Sequence, residues 1–158
     1  KPLEVQKTTS HFDSRGLNMK QALIVYPVFA VVLLTFVIGI WMLRLRIRAV
    51  KEEGLNPGYF LLNRGAKLPD GLAKVTQHYD NLFEMPVLFY VACLSVLATN
   101  SADIVFLCLA WFFVGARYAH AYIHTTYNGL KHRRLAFLAG TSIVAAIWIK
   151  LFIQLLAA

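Results

Sequence analysis

Charge is scarce in this chain, and negative charge most of all: eight Asp and Glu stand against 16 Lys and Arg in 158 residues, and all charged residues together make up 15% of the sequence. A soluble domain carries about a quarter charged residues, so a water-facing globule is not what this composition describes. Cysteine is nearly absent. Cys93 and Cys108 both fall inside apolar runs, where burial favours an inert thiol. Residues 1–18 are polar and lack the basic start, short apolar stretch and small-residue cleavage site of a signal peptide. They read as a polar tail ahead of a native start at Met19.

What is abundant is apolar: 58% of residues are hydrophobic, with a mean hydropathy of +0.57. The core of a compact chain of this length could not hide that much apolar surface, but lipid can. The net charge of +8 would suggest nucleic acid in a soluble protein. Here the basic residues sit in short stretches beside apolar runs, which fits anionic headgroups and membrane topology instead. Membrane lipids, and no nucleic acid, are the expected partners.

A run of about 20 apolar residues spans the hydrocarbon layer as a helix, and four such runs occur. The first covers about residues 21–43, with Pro27 near its start, and ends in Arg44, Arg46 and Arg48. A loop follows with two turn signals, Asn56-Pro57-Gly58 and Pro69-Asp70-Gly71. Between them, Tyr59, Phe60, Leu61 and Leu62 suit a short amphipathic piece at the interface. The second span covers about 75–98; its early turns carry Gln77, His78, Asp80, Asn81 and Glu84 before the unbroken run Met85–Leu97. After a tight turn at Thr99-Asn100-Ser101, the third covers about 102–127. A basic connection with Lys131, His132, Arg133 and Arg134 leads to the fourth, about 135–156, where Lys150 and Gln154 are expected to snorkel outward. The fold class is therefore all-α: an integral membrane four-helix bundle over residues 19–158. Basic residues concentrate in the first and third connections, which places both in the cytoplasm and both termini on the opposite side. Lys1, Lys7, Arg15 and Lys20 argue the other way but are outnumbered.

On that topology the intramembrane polar residues gather at one face of the membrane, with nothing comparable expected at the other. Arg44 ends the first helix, Asn81 and Glu84 lie in the second, Arg117, His120 and His124 in the third, and Arg133 opens the fourth. Gln77, Asn81 and Glu84 share one helical face at spacings of four and three, and Arg117, His120 and His124 share another. A charge at membrane depth costs about 2.5–3.5 kcal/mol on the insertion scale, so these groups should face inward, with Glu84 and Arg117 as an ion pair. A metal is not expected: only His120 and His124 suggest one, with no third histidine nearby, and the arginines would repel a cation. Guanidinium groups suit carboxylates and Glu84 suits an ammonium, so the site fits a small zwitterion with extra carboxylates.

The segment Asn81-Leu82-Phe83-Glu84-Met85-Pro86, the run Arg117-Tyr118-Ala119-His120-Ala121-Tyr122-Ile123-His124 and the run Lys131-His132-Arg133-Arg134 resemble the MAPEG family, the membrane-associated proteins of eicosanoid and glutathione metabolism. The likeness covers about residues 20–156 and is nearer to bacterial members, which implies the bacterial inner membrane. It implies a homotrimer with glutathione bound between subunits near the cytoplasmic face. Arg44, Asn81, Glu84, Arg117, His120 and His124 would then serve glutathione binding. Arg133 would stabilise the thiolate for transfer to, or peroxide reduction of, a lipophilic small-molecule substrate. Gln77 stands where several glutathione-using members have arginine, and His124 where a tyrosine is usual. Loss of that clamp removes about 1.5–3 kcal/mol, the worth of a hydrogen bond to a charged group. The alternative is a non-catalytic scaffold or a subunit of a larger membrane assembly. A transporter or channel is disfavoured because Met85–Leu97 and Ile104–Val114 leave no continuous polar path.

Overall fold

The structure, a computed structural model, describes residues 22–62, 65 and 67–157. The polar tail, Met19, the opening of the first apolar run and Arg64 lie outside the described residues. The rest forms six helices: α1 (Val25–Glu52), α2 (Tyr59–Leu62), α3 (Asp70–Asn81), α4 (Met85–Ala98), α5 (Ile104–Thr125) and α6 (Leu130–Leu156). Helices α3 and α4 follow one another as a single membrane-length segment, and α1, α3–α4, α5 and α6 are each long and apolar enough to cross a bilayer. The protein is an integral membrane four-helix bundle.

Two helices run beyond their apolar stretches. Helix α1 continues through Arg44, Arg46 and Arg48 to Glu52, with Arg48 donating to Glu52 at 2.7 Å, a four-residue pairing that supports the last turns. Helix α6 begins at Leu130, so Lys131, His132, Arg133 and Arg134 form its first turns rather than a connecting loop. The turns between helices use left-handed asparagines, Asn100 (φ 53°) and Asn128 (φ 50°). Asparagine enters that region more readily than other non-glycine residues.

The core inside the membrane is a stack of Phe89, Phe106, Phe113, Val96, Val144 and Ile147, with Phe89 and Phe113 stacked at 4.3 Å. Two side chains tie helices across it: the Tyr118 hydroxyl donates to the Ala30 carbonyl at 2.9 Å, and the Trp148 indole to that of Leu88 at 3.2 Å. Outside this core the bundle is clad in large apolar side chains, among them Phe36, Phe112, Ile149 and Phe152, each at least 60% exposed. That surface suits hydrocarbon and not water. Cys93 is buried and Cys108 exposed, and both are free thiols.

The end holding the α4–α5 turn is not bare of polar groups, contrary to expectation. Asp103 caps α5 by accepting from the Phe106 N–H at 2.9 Å. Lys150 and Gln154, one turn apart on α6, both donate to its other oxygen, at 2.5 and 3.2 Å. They do not snorkel outward, because a carboxylate at the same depth offers their charge and dipole a direct partner.

Candidate functional site

The other end is organised around a helix break. Pro86 has no N–H to give the carbonyl four residues earlier, and its ring crowds that carbonyl. The chain accordingly leaves the helix between Asn81 and Met85, with tight turns from Leu82 N–H to the Tyr79 carbonyl and from Phe83 N–H to that of Asp80. The Asn81 carbonyl is taken by Arg117, whose Nη2 donates to it at 2.8 Å. Arg117 is fully buried, so its charge rests against the C-terminal end of α3, where the helix dipole favours a cation. The expected Glu84–Arg117 ion pair is not made. The break separates Glu84 from the face that Gln77 and Asn81 share and leaves it exposed.

Helices α3, α5 and α6 surround a cavity of about 440 Å³, lined by Gln77, Asp80, Asn81, His120, His124, Leu130, Arg133, Arg134 and Phe137. Four of the seven site residues singled out from sequence, Asn81, His120, His124 and Arg133, line it, and Arg117 lies behind it. Glu84 and Arg44 do not. Helix α1 packs inward through Leu34, Ile38, Met42 and Leu45, a register that leaves Arg44 exposed.

Arg133 is held by its own neighbourhood. Its Nη1 donates to Asn128 Oδ1 at 2.9 Å and meets His124 Nε2 at 3.3 Å. A guanidinium only donates, so His124 Nε2 accepts, and the neutral ring carries its proton on Nδ1. Asn128 reaches Arg133 from its left-handed position, where its own N–H closes α5 onto the Ile123 carbonyl at 2.8 Å. Lys74 of α3 donates to the Thr126 carbonyl at 3.1 Å, fastening the same corner.

Sequence reasoning missed two residues. Asp80 supplies the only carboxylate among the residues lining the cavity. His78 is the third histidine that was not expected: its ring lies 5.3 Å from His120 and 5.4 Å from His124, which are 5.5 Å apart. All three are at most 2% exposed, and both nitrogens of His78 and the Nδ1 atoms of the other two lack a hydrogen-bond partner among the described residues. The described residues nonetheless hold no group of three His, Cys, Asp or Glu arranged to hold a metal ion. Arg117 precedes His120 by one turn and Arg133 touches His124, so the cluster is flanked by cations. A signal for His78 was present: it continues the buried stripe of Leu72 and Val75 on α3, which runs on to Leu82 just past its end.

A lipid-clad four-helix bundle with an arginine- and histidine-lined cavity at one end defines a class of small integral membrane proteins. Within it, the model of the MAPEG family matches residues 24–153, and the chain belongs to that family. No curated protein and no solved structure matches it. It is thus a membrane protein of the family of eicosanoid and glutathione metabolism.

Proposed function

We propose that the protein is a glutathione-dependent transferase or peroxidase acting on lipophilic electrophiles that arrive through the bilayer. The observation that carries this reading is Arg133, pinned by Asn128 and His124 at the wall of the cavity. The cavity's volume lies within the range of small-molecule sites. Its charges match glutathione: Arg133 and Arg134 suit carboxylates or a thiolate, and Asp80 suits the ammonium. Glutathione would supply the thiol nucleophile. Nη2 of Arg133 has no hydrogen-bond partner among the described residues, and a fixed cation beside a thiol of pKa near ~8.5 favours the reactive anion. Glu84 and Arg44 lie exposed on the single chain, and a homotrimer with the ligand between subunits would bring them to the site.

The test is direct. Detergent-purified protein given glutathione should develop thiolate absorbance in the ultraviolet, and Arg133→Ala should abolish both that signal and turnover. Unchanged turnover in this variant would remove the mechanism. Asn128→Gly keeps the left-handed backbone while deleting the amide that holds Arg133. It should reduce the thiolate signal by about tenfold, the worth of one charge-assisted hydrogen bond, with little loss of stability.

One observation favours a non-catalytic scaffold: Gln77, in the position where family members place an arginine, lines the cavity itself. That reading predicts no glutathione binding by calorimetry at millimolar ligand and a stoichiometric partner that co-purifies.

A further inference from the structure

The apolar stretch of α1 ends at Leu43, and the helix continues for nine residues beyond it, to Glu52. Along this extension Leu43, Arg46, Ile47 and Val50 recur at helical spacing on one face with Lys51 beside them, and Phe60 of α2 stands opposite. Together these six residues line a groove of about 430 Å³. From Leu43 to Lys51 the face rises about 12 Å at 1.5 Å per residue, with an apolar residue at the end nearer the hydrocarbon and a cation at the far end.

Arg46 differs from its neighbour Arg48. Arg48 is engaged by Glu52. Arg46 has its guanidinium 5.1 Å from the Phe60 ring centroid, and its buried Nε lacks a hydrogen-bond partner among the described residues. Beside the groove, Leu61 and Leu62 are 84% and 75% exposed. A four-residue helix presenting two bare leucines is stable at a bilayer surface and not in water, which sets the groove at the depth of lipid headgroups.

We propose that this groove binds one anionic phospholipid, its phosphate between Arg46 and Lys51 and an acyl chain running past Leu43 into the hydrocarbon. The charge is complementary, and the apolar end of the groove at Leu43 is the end nearer the hydrocarbon, as a lipid's chains require. This site is separate from the cavity of α3, α5 and α6, and it does not depend on whether glutathione is the ligand there.

Native mass spectrometry of the protein released from nanodiscs of mixed phosphatidylglycerol and phosphatidylcholine tests it. Wild type should retain one phosphatidylglycerol per chain in preference to phosphatidylcholine. Arg46→Gln with Lys51→Gln should lower that preference by about tenfold or more, at roughly 1 kcal/mol per cation, while Arg48→Gln leaves it unchanged. Equal retention of the two lipids, or a double variant that behaves as wild type, would overturn the proposal. So would inorganic phosphate raising the thermal midpoint as much as phosphatidylglycerol does, since the acyl chain would then contribute nothing. Loss of the oligomer by the double variant, with lipid retention intact, would make the groove a face between copies and equally overturn it.

Discussion

The two ends of the bundle handle buried polarity in opposite ways. At the α4–α5 end, Asp103 collects a backbone N–H, an ammonium and an amide, so one carboxylate binds the start of α5 to the end of α6 and leaves a single buried atom there, Gln154 Oε1, without a partner among the described residues. At the cavity end, four histidine nitrogens and the Nε and Nη1 of Arg117 have no partner among the described residues. Unpaired buried polar groups cost stability, so the first end is built to hold and the second retains groups that packing alone would not select. Catalytic and binding sites are where such costs are tolerated.

The sharpest way to break this contrast is at Arg117, a fully buried group at the cavity end with a clear holding role. Arg117→Ala removes the donor that satisfies the Asn81 carbonyl at the helix break and leaves a void beside Gly140 and Phe113. The expected loss is about 3 kcal/mol or more, combining a charged hydrogen bond with the cavity left by a large buried side chain. It is measured as a shift in detergent unfolding. A loss no larger than that of an exposed substitution would show that the break at Leu82–Glu84 supports itself.

At the opposite end, Asp103→Ala deletes a helix cap and the anchor of Lys150. The cap alone is worth about 1 kcal/mol. The carboxylate is partly exposed, so the Lys150 pairing adds little more. The sign of the pH dependence follows from its environment. Partial burial raises the Asp103 pKa, but the bonds from Lys150, the Phe106 N–H and Gln154 outweigh it and hold the carboxyl below its ordinary value. A depressed pKa means stability present above the unfolded value of about 3.9 and lost as the pH falls through the folded one. Wild type should therefore weaken below about pH 4 relative to Asp103→Ala, with the difference flat at neutral pH.

Much of this was legible in the sequence and some was not. Four apolar runs of spanning length allow few arrangements other than a membrane bundle, and the Arg117, His120, His124 stripe faces inward as its spacing requires. The face shared by Gln77, Asn81 and Glu84 failed because helical periodicity was extended through Leu82, whose carbonyl Pro86 cannot serve. That proline was visible, and weighing its missing N–H would have separated Asn81 from Glu84. His78 was passed over because polar neighbours masked its place in the Leu72, Val75, Leu82 stripe. The pairing of Asp103 with Lys150 and Gln154 joins residues 47 and 51 positions apart. Only their common depth, the start of one helix and the end of its antiparallel neighbour, hinted at it.

The smallest expected effect separates the two ends most finely. His78 is fully buried, meets His120 edge-on and His124 at a tilt, and has no partner for either nitrogen among the described residues. If packing were its purpose, leucine would serve as well: His78→Leu replaces an unsatisfied polar ring by an apolar side chain on an apolar stripe. A change that removes a desolvated group without orphaning another is neutral or stabilising, so the unfolding midpoint should stay or rise, by at most about 1 kcal/mol. Binding and turnover at the cavity should fall, because His120 and His124 lose the ring that fixes their orientation. A clear loss of stability would instead show that His78 is satisfied in the membrane, by water or by a ligand, and the contrast with the end built on Asp103 would narrow.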